Sequence, residues 1–229
     1  TLSGIGGKTT GAVTLENKVR LSGSQSEVTA ALVGDSSVVA AVANTEANVT
    51  TAVTVSEGDA IAKVAKIQGI FASGVSDSLS SLATGGSTDS KLDTITGDDT
   101  DVAITITDSG FTTSSATLAA TDISAVGGAT TGTVTVSNAV KISGTTSQLT
   151  TALVSGASSV TAASALVTVS DNAFTSGSAT IAATTLSNIG GKTTGAVTVT
   201  KAVKVVGSAS QLTNALVSGT SSVIAASAL

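Results

Sequence analysis

"TDISAVGGATTGTVTVSNAVKISGTTSQLTTALVSGASSVTAASAL" runs from Thr121 to Leu166, and "TTLSNIGGKTTGAVTVTKAVKVVGSASQLTNALVSGTSSVIAASAL" runs from Thr184 to Leu229. The two segments lie 63 residues apart and agree at about two thirds of their positions. The same offset pairs Asp108 with Asp171 and Phe111 with Phe174. A further copy, "LSGIGGKTTGAVTLENKVRLSGSQSEVTAALV", occupies Leu2 to Val33, and a degenerate one fills the region between. Internal repetition at a fixed spacing marks a repeat architecture, in which one unit cannot bury its apolar face without its neighbours. The sequence therefore reads as one elongated array over 1–229, with copies at about 1–50, 51–101 (degenerate), 102–165 and 166–229.

Within each copy, short runs alternate an apolar residue with threonine: Val13-Thr14-Leu15, Val53-Thr54-Val55, Ile104-Thr105-Ile106, Val134-Thr135-Val136, Val167-Thr168-Val169 and Val197-Thr198-Val199. β-Branched residues in strict alternation read as half-buried strands. Between them, Ser24-x-x-Glu27, Thr145-x-x-Gln148 and Ser208-x-x-Gln211 form capping boxes, each followed by apolar residues at helical spacing. A second helix signal ends in glycine: Leu2/Ile5/Gly6, Ile123/Val126/Gly127 and Leu186/Ile189/Gly190, with the glycine suited to a left-handed C-cap. The rhythm predicts a mainly β fold: a parallel right-handed β-solenoid of about six to eight stacked coils, with short helices on the return path. A coil of about 30 residues competes with one of about 21, and tandem β-sandwich repeats are the alternative fold.

Composition narrows the chemistry. The chain has no Cys, His, Met, Trp, Tyr or Pro and only three Phe. A Ser-His-Asp triad, a cysteine nucleophile, a His/Cys zinc site and a disulfide are excluded. Aromatic platforms for sugars or bases are nearly absent. A net charge of −5 argues against nucleic acid as the partner, and no apolar run is long enough to span a membrane. Pro would interrupt a strand ladder, which gives its absence a structural reason. Thr1 and Leu229 both fall inside the repeat, with no atypical polar cap, which points to a segment of a longer array or to end-to-end association.

Acidic residues crowd into "TGDDTDVAITITD". Asp98, Asp99 and Asp101 are the candidate calcium ligands, because hard carboxylate oxygens at close spacing suit that ion. The G-G-x-G-x-D motif of calcium-binding β-rolls is missing, so a solvated turn is the competing reading and no cofactor is expected. Adjacent carboxylates without an aromatic floor do not suit glycoside hydrolysis. "GIGGKTTG" at Gly4–Gly11 and "NIGGKTTG" at Asn188–Gly195 imitate a phosphate loop, but the order is helix then strand, the reverse of a P-loop. The related copy carries Ala129 where these have lysine. No catalytic residue is assigned. The central threonines would form a column if the strands were stacked, which suggests an ice-binding or other adhesive face as the alternative function. Asn48-Val49-Thr50 is a sequon.

The words "VTVSD", "LSNIGGKTTGAVTV", "ISGTTSQLTTAL", "VSDSLSSLAT" and "LDTITGDDTDVAITITDSGF" resemble the Ala/Thr/Ser/Gly-rich tandem repeats of very large secreted bacterial surface proteins, notably of marine cyanobacteria. Some of those proteins also carry haemolysin-type calcium repeats. The resemblance covers nearly the whole chain. It implies an extracellular or cell-surface location, export without a cleaved N-terminal signal, and a structural role in a fibre, surface layer or adhesin stalk. Its implied partners are copies of itself or neighbouring repeats, with no small-molecule substrate.

Overall fold

The structure is a computed structural model that describes residues 4–5, 8–9, 11, 13–33, 39–40, 42–112, 117–156, 160–175, 180–218 and 223–225. The chain is organised as two compact units. One comprises Thr1–Asp77, Thr88–Thr105 and Ala129–Thr133, and the other Ser78–Ser87, Ile106–Gly128 and Val134–Leu229.

In the first unit, β1 (Arg20–Gly23), β2 (Thr45–Val49) and β3 (Ile67–Phe71) form a parallel sheet in that order. Ala47 and Val49 face inward and are fully buried. Helix α1 (Gln25–Leu32) begins at the Ser24/Glu27 capping box. Helix α2 (Val55–Ala62) begins at a further box, Thr54 with Glu57, hidden in the sequence by the alternation around it. Thr54 thus caps a helix and does not lie in the strand expected over Val53–Val55; only Val53 bridges, to Val75. Helix α3 (Ser90–Asp98) packs on α2 and buries Leu92 and Ile95 completely. Gly58 permits the approach, since a Cβ there would press into the Ile95 side chain.

In the second unit, β4 (Leu118–Ala119), β5 (Lys141–Gly144), β6 (Leu166–Val169), β8 (Val197–Val199) and β10 (Val223–Ile224) form a five-stranded parallel sheet. Between β6 and β8 in the chain, β7 (Ile181–Ala182) leaves to pair with β9 (Val205–Val206) in a separate two-stranded sheet. Register places Leu118, Ile142, Val167, Val197 and Val223 in one inward row. Helices α4 (Ala120–Ala129), α5 (Thr146–Leu149, continued by a π-helical turn over Thr150–Val154), α6 (Ala183–Gly190) and α7 (Ala209–Leu216) cross between strands. They bury Ile123, Val126, Leu149, Leu186 and Ile189 without residual exposure. Each such side chain contributes about 1.5–3 kcal/mol of burial.

The fold is therefore mixed α/β, and this corrects the expectation of a mainly β solenoid. With a short helix at Leu79–Leu82 in the second unit, eight α-helices occur among the described residues, and their side chains build the core jointly with the strands. Capping boxes draw the residues after β1, β5 and β9 into helical turns, and the strands are two to five residues long. Nor do the repeats feed one continuous ladder. Val134–Val136 pairs with Val160–Thr161, whereas its equivalent β8 has joined the five-stranded sheet. Tandem sandwiches are excluded as well, because the three-stranded and five-stranded sheets are parallel and their strands are joined by helical crossovers. The left-handed glycine C-cap also fails: Gly127 and Gly190 are buried inside α4 and α6, and the cap residue Gly191 is right-handed. The corresponding Leu2 and Gly6 lie outside the described residues. Among the described residues, no helix is long and apolar enough to cross a membrane.

Candidate functional site

The most regular polar construction is built by the "TTG" that three of the four copies carry. Thr130 is buried, and its hydroxyl donates to the Val102 carbonyl at 2.7 Å while accepting from the Gly132 N–H at 2.9 Å. Its equivalent Thr193, also buried, donates to the Ala165 carbonyl at 2.5 Å and accepts from the Gly195 N–H at 3.0 Å. The next threonine adds a main-chain bond: Thr131 N–H to the Thr100 carbonyl, and Thr194 N–H to the Ala163 carbonyl. Glycine is required third, since a Cβ on Gly132 or Gly195 would overlap the Asp101 or Ala165 carbonyl oxygen. In the first copy, Thr9 accepts from Gly11 in the same way but is exposed. The phosphate-loop look of "GGKTTG" thus comes from a turn that ties a strand to a segment about 28 residues earlier. The hydroxyl that would meet a phosphate is spent on main chain.

Carboxylates form a second set. Asp171 Oδ2 accepts from the Thr146 N–H at 2.7 Å, and its Oδ1 accepts from the Thr146 hydroxyl at 3.1 Å. Asp77 accepts from the Val55 N–H at 3.1 Å, and Asp108 from the Leu79 N–H at 2.7 Å. Thr51 plays the same part for the Gln25 N–H. In every case the donor is the first residue of a helix whose own N-cap serves the third-residue amide or leaves this one open. A helix leaves its first four N–H groups without internal partners, and its dipole favours negative charge there. Each aspartate belongs to a recurring apolar–hydroxyl–Asp trio: Val75-Ser76-Asp77, Ile106-Thr107-Asp108 and Val169-Ser170-Asp171. That trio and the "TTG" were visible in the sequence as repeated words, but their partners 22–29 residues away were not.

The calcium candidates are placed on the edge of β3. Asp98 Oδ2 accepts from the Gly69 N–H at 2.9 Å, and Asp99 Oδ2 from the Phe71 N–H at 2.7 Å. Two carboxylates therefore close alternate amides of an outer strand. Burial pushes the Asp99 carboxyl above its ordinary range; the Phe71 N–H opposes that rise, and the Asp101 carboxylate reinforces it. Asp101 itself is exposed. Among the described residues, no group of three or more Asp, Glu, His or Cys is placed to hold a metal ion. Asp59 is buried in α2, with Oδ2 bonded to Lys63 at 2.8 Å and Oδ1 without a hydrogen-bond partner. Its helix packs on α3, and the ion pair lies within a single helical turn.

Two cation–aromatic pairs repeat as well: Lys141 over Phe111 at 5.4 Å and Lys204 over Phe174 at 5.5 Å. The threonine column is interrupted. Thr168 and Thr198 are register partners, with Ser143 next in the row, but Thr135 pairs with Thr161 in another sheet. The sequon asparagine, Asn48, donates its side-chain amide to Ser22. Compared with protein-family models, characterised proteins and solved structures, the chain matches none.

Proposed function

We propose that this chain is an extracellular structural repeat protein, a segment of a cell-surface fibre, surface layer or adhesin stalk. One observation carries the reading. Among the polar residues that recur with the repeat, three equivalent pairs, Thr130 and Thr193, Asp108 and Asp171, Ser137 and Thr200, bind main-chain groups of an earlier segment. Repetition has been kept where it holds chain to chain, which is what a scaffold requires and a single active site does not. The cell-surface location rests on the resemblance to secreted repeat proteins. Immunogold labelling of intact source cells tests it: label on the outer surface is expected, and label confined to the cell interior overturns the reading.

A further inference from the structure

The outer edge of β3 is closed without a strand. Ala72 donates to the Val49 carbonyl of β2 at 3.1 Å, so the amides of the alternate residues Ile67, Gly69 and Phe71 face away from β2. Each has a partner. Ile67 donates to the Val64 carbonyl in the preceding turn, Gly69 to Asp98 and Phe71 to Asp99. The Gln68 side chain donates to the Asp98 carbonyl at 3.2 Å and fixes the segment that carries these carboxylates. The carboxylates thus meet amides two residues apart, the spacing at which a neighbouring strand presents its carbonyls. In the five-stranded sheet a strand takes that place: the Val167 N–H of β6 bonds the Ala196 carbonyl, just before β8.

Helix electrostatics do not favour carboxylates here. Asp98 ends α3 and Asp99 caps it, at the negative end of the helix dipole. Asp101 follows closely and is exposed, and among the described residues none of the three is ion-paired. Two aspartates held at an unfavourable helix end serve something other than the helix. What they cover is a hazard. Ile67 to Ser76 carries no charge, with Lys66 before it and Asp77 after it. An uncharged apolar segment on an open sheet edge is a template for pairing with another chain. Asp98 and Asp99 are half-buried, and Gly97, Thr100 and Asp101 beside them are exposed, so the edge lies one side chain from solvent.

We propose that Asp98 and Asp99 guard the β3 edge: by occupying the Gly69 and Phe71 amides they end the sheet at three strands and keep a strand of a second copy from adding there. An ionised carboxylate accepts hydrogen bonds and donates none, so it satisfies the edge without offering a ladder that can continue.

Two double variants of the full chain test the guard beside the wild type. Asp98→Ala/Asp99→Ala empties both positions. Asp98→Asn/Asp99→Asn keeps an oxygen for each amide and removes the charge. Sedimentation velocity reads loss of the 21.7 kDa monomer, thioflavin T reads strand assembly, and circular dichroism reads the fold. The alanine pair should lose more monomer than the wild type to thioflavin-positive species in which the Gly69 and Phe71 amides are protected from hydrogen exchange. The asparagine pair should match the wild type. A folded alanine pair that keeps as much monomer as the wild type, an asparagine pair that assembles as the alanine pair does, or assemblies in which Gly69 and Phe71 exchange freely overturns the proposal. If the alanine pair melts below the assay temperature, Asp98→Ala and Asp99→Ala alone, each opening one amide, replace it with the same outcomes.

Discussion

Thr193→Val replaces a hydroxyl by a methyl in a side chain of nearly the same shape, so the packing around it is conserved. The change removes two short hydrogen bonds together, the donation to the Ala165 carbonyl at 2.5 Å and the acceptance from the Gly195 N–H at 3.0 Å, along with a longer contact to the Ala163 carbonyl at 3.4 Å. Valine can replace none of them. Leaving a buried donor or acceptor unsatisfied costs about 1–3 kcal/mol. With the Gly195 amide only partly buried, the expected loss is about 2–4 kcal/mol. Thr193→Ser keeps the hydroxyl and removes one methyl, with an expected loss of about 1 kcal/mol. Urea unfolding of both variants reads the difference. Thr130→Val, the same change in the other compact unit, should behave alike, because Thr130 makes the matching pair of bonds. If Thr193→Val proves no more destabilising than Thr193→Ser, the hydroxyl is not what ties β8 to the preceding segment, and the explanation of the "TTG" word fails.

Asp171→Ala removes the acceptor for the first amide of α5 and should cost about 1–2 kcal/mol in urea unfolding, with Asp171→Asn recovering part of it. Gly74 has φ +77° and sits against the Ala103 carbonyl, so Gly74→Ala should cost more than about 2 kcal/mol. The carboxylates divide by sign with pH. Glu27, held down by the Ser24 amide and hydroxyl, and Glu46, held down by the Arg20 guanidinium, stabilise the fold above their unfolded range and lose that contribution as pH falls through their lowered values. Asp99 acts oppositely: burial raises its value, so the stability it permits is present in acid and is lost as pH rises through that value. Asp99→Asn, which retains an oxygen for the Phe71 N–H, should be the more stable form at neutral pH and lose its advantage below about pH 4 in pH-resolved thermal melts.

Local signals were legible, and long-range partners were not. Ser24/Glu27, Thr145/Gln148 and Ser208/Gln211 form the capping boxes read from their spacing, since donor and acceptor lie within one turn. Val53-Thr54-Val55 was misleading because its alternation favours a strand while Thr54 with Glu57 favours a helix start, and the box prevailed. The helices were expected as ornaments on a β scaffold. In α3, α4 and α6 their leucine, isoleucine and valine side chains instead fill the core, and the class becomes mixed α/β. The Asp98–Asp101 cluster was legible as a concentration of charge; that Asp98 and Asp99 answer the amides of Gly69 and Phe71 depends on where β3 ends, which no spacing announces.

The tying bonds share a direction in time. Thr193 serves Ala165, Thr130 serves Val102, Asp171 serves Thr146, Asp108 serves Leu79 and Asp77 serves Val55. In each pair the side chain is synthesised after the main-chain group it satisfies. At about 5–20 residues per second, the later residue leaves the ribosome a few seconds behind its target. In these long-range ties, therefore, no hydroxyl or carboxylate waits for a distant backbone group still unmade; only bonds within a turn, such as those of the capping boxes, close in the other order. Each segment can close onto finished structure as it emerges, so the molecule is suited to assembling from its first copy to its last.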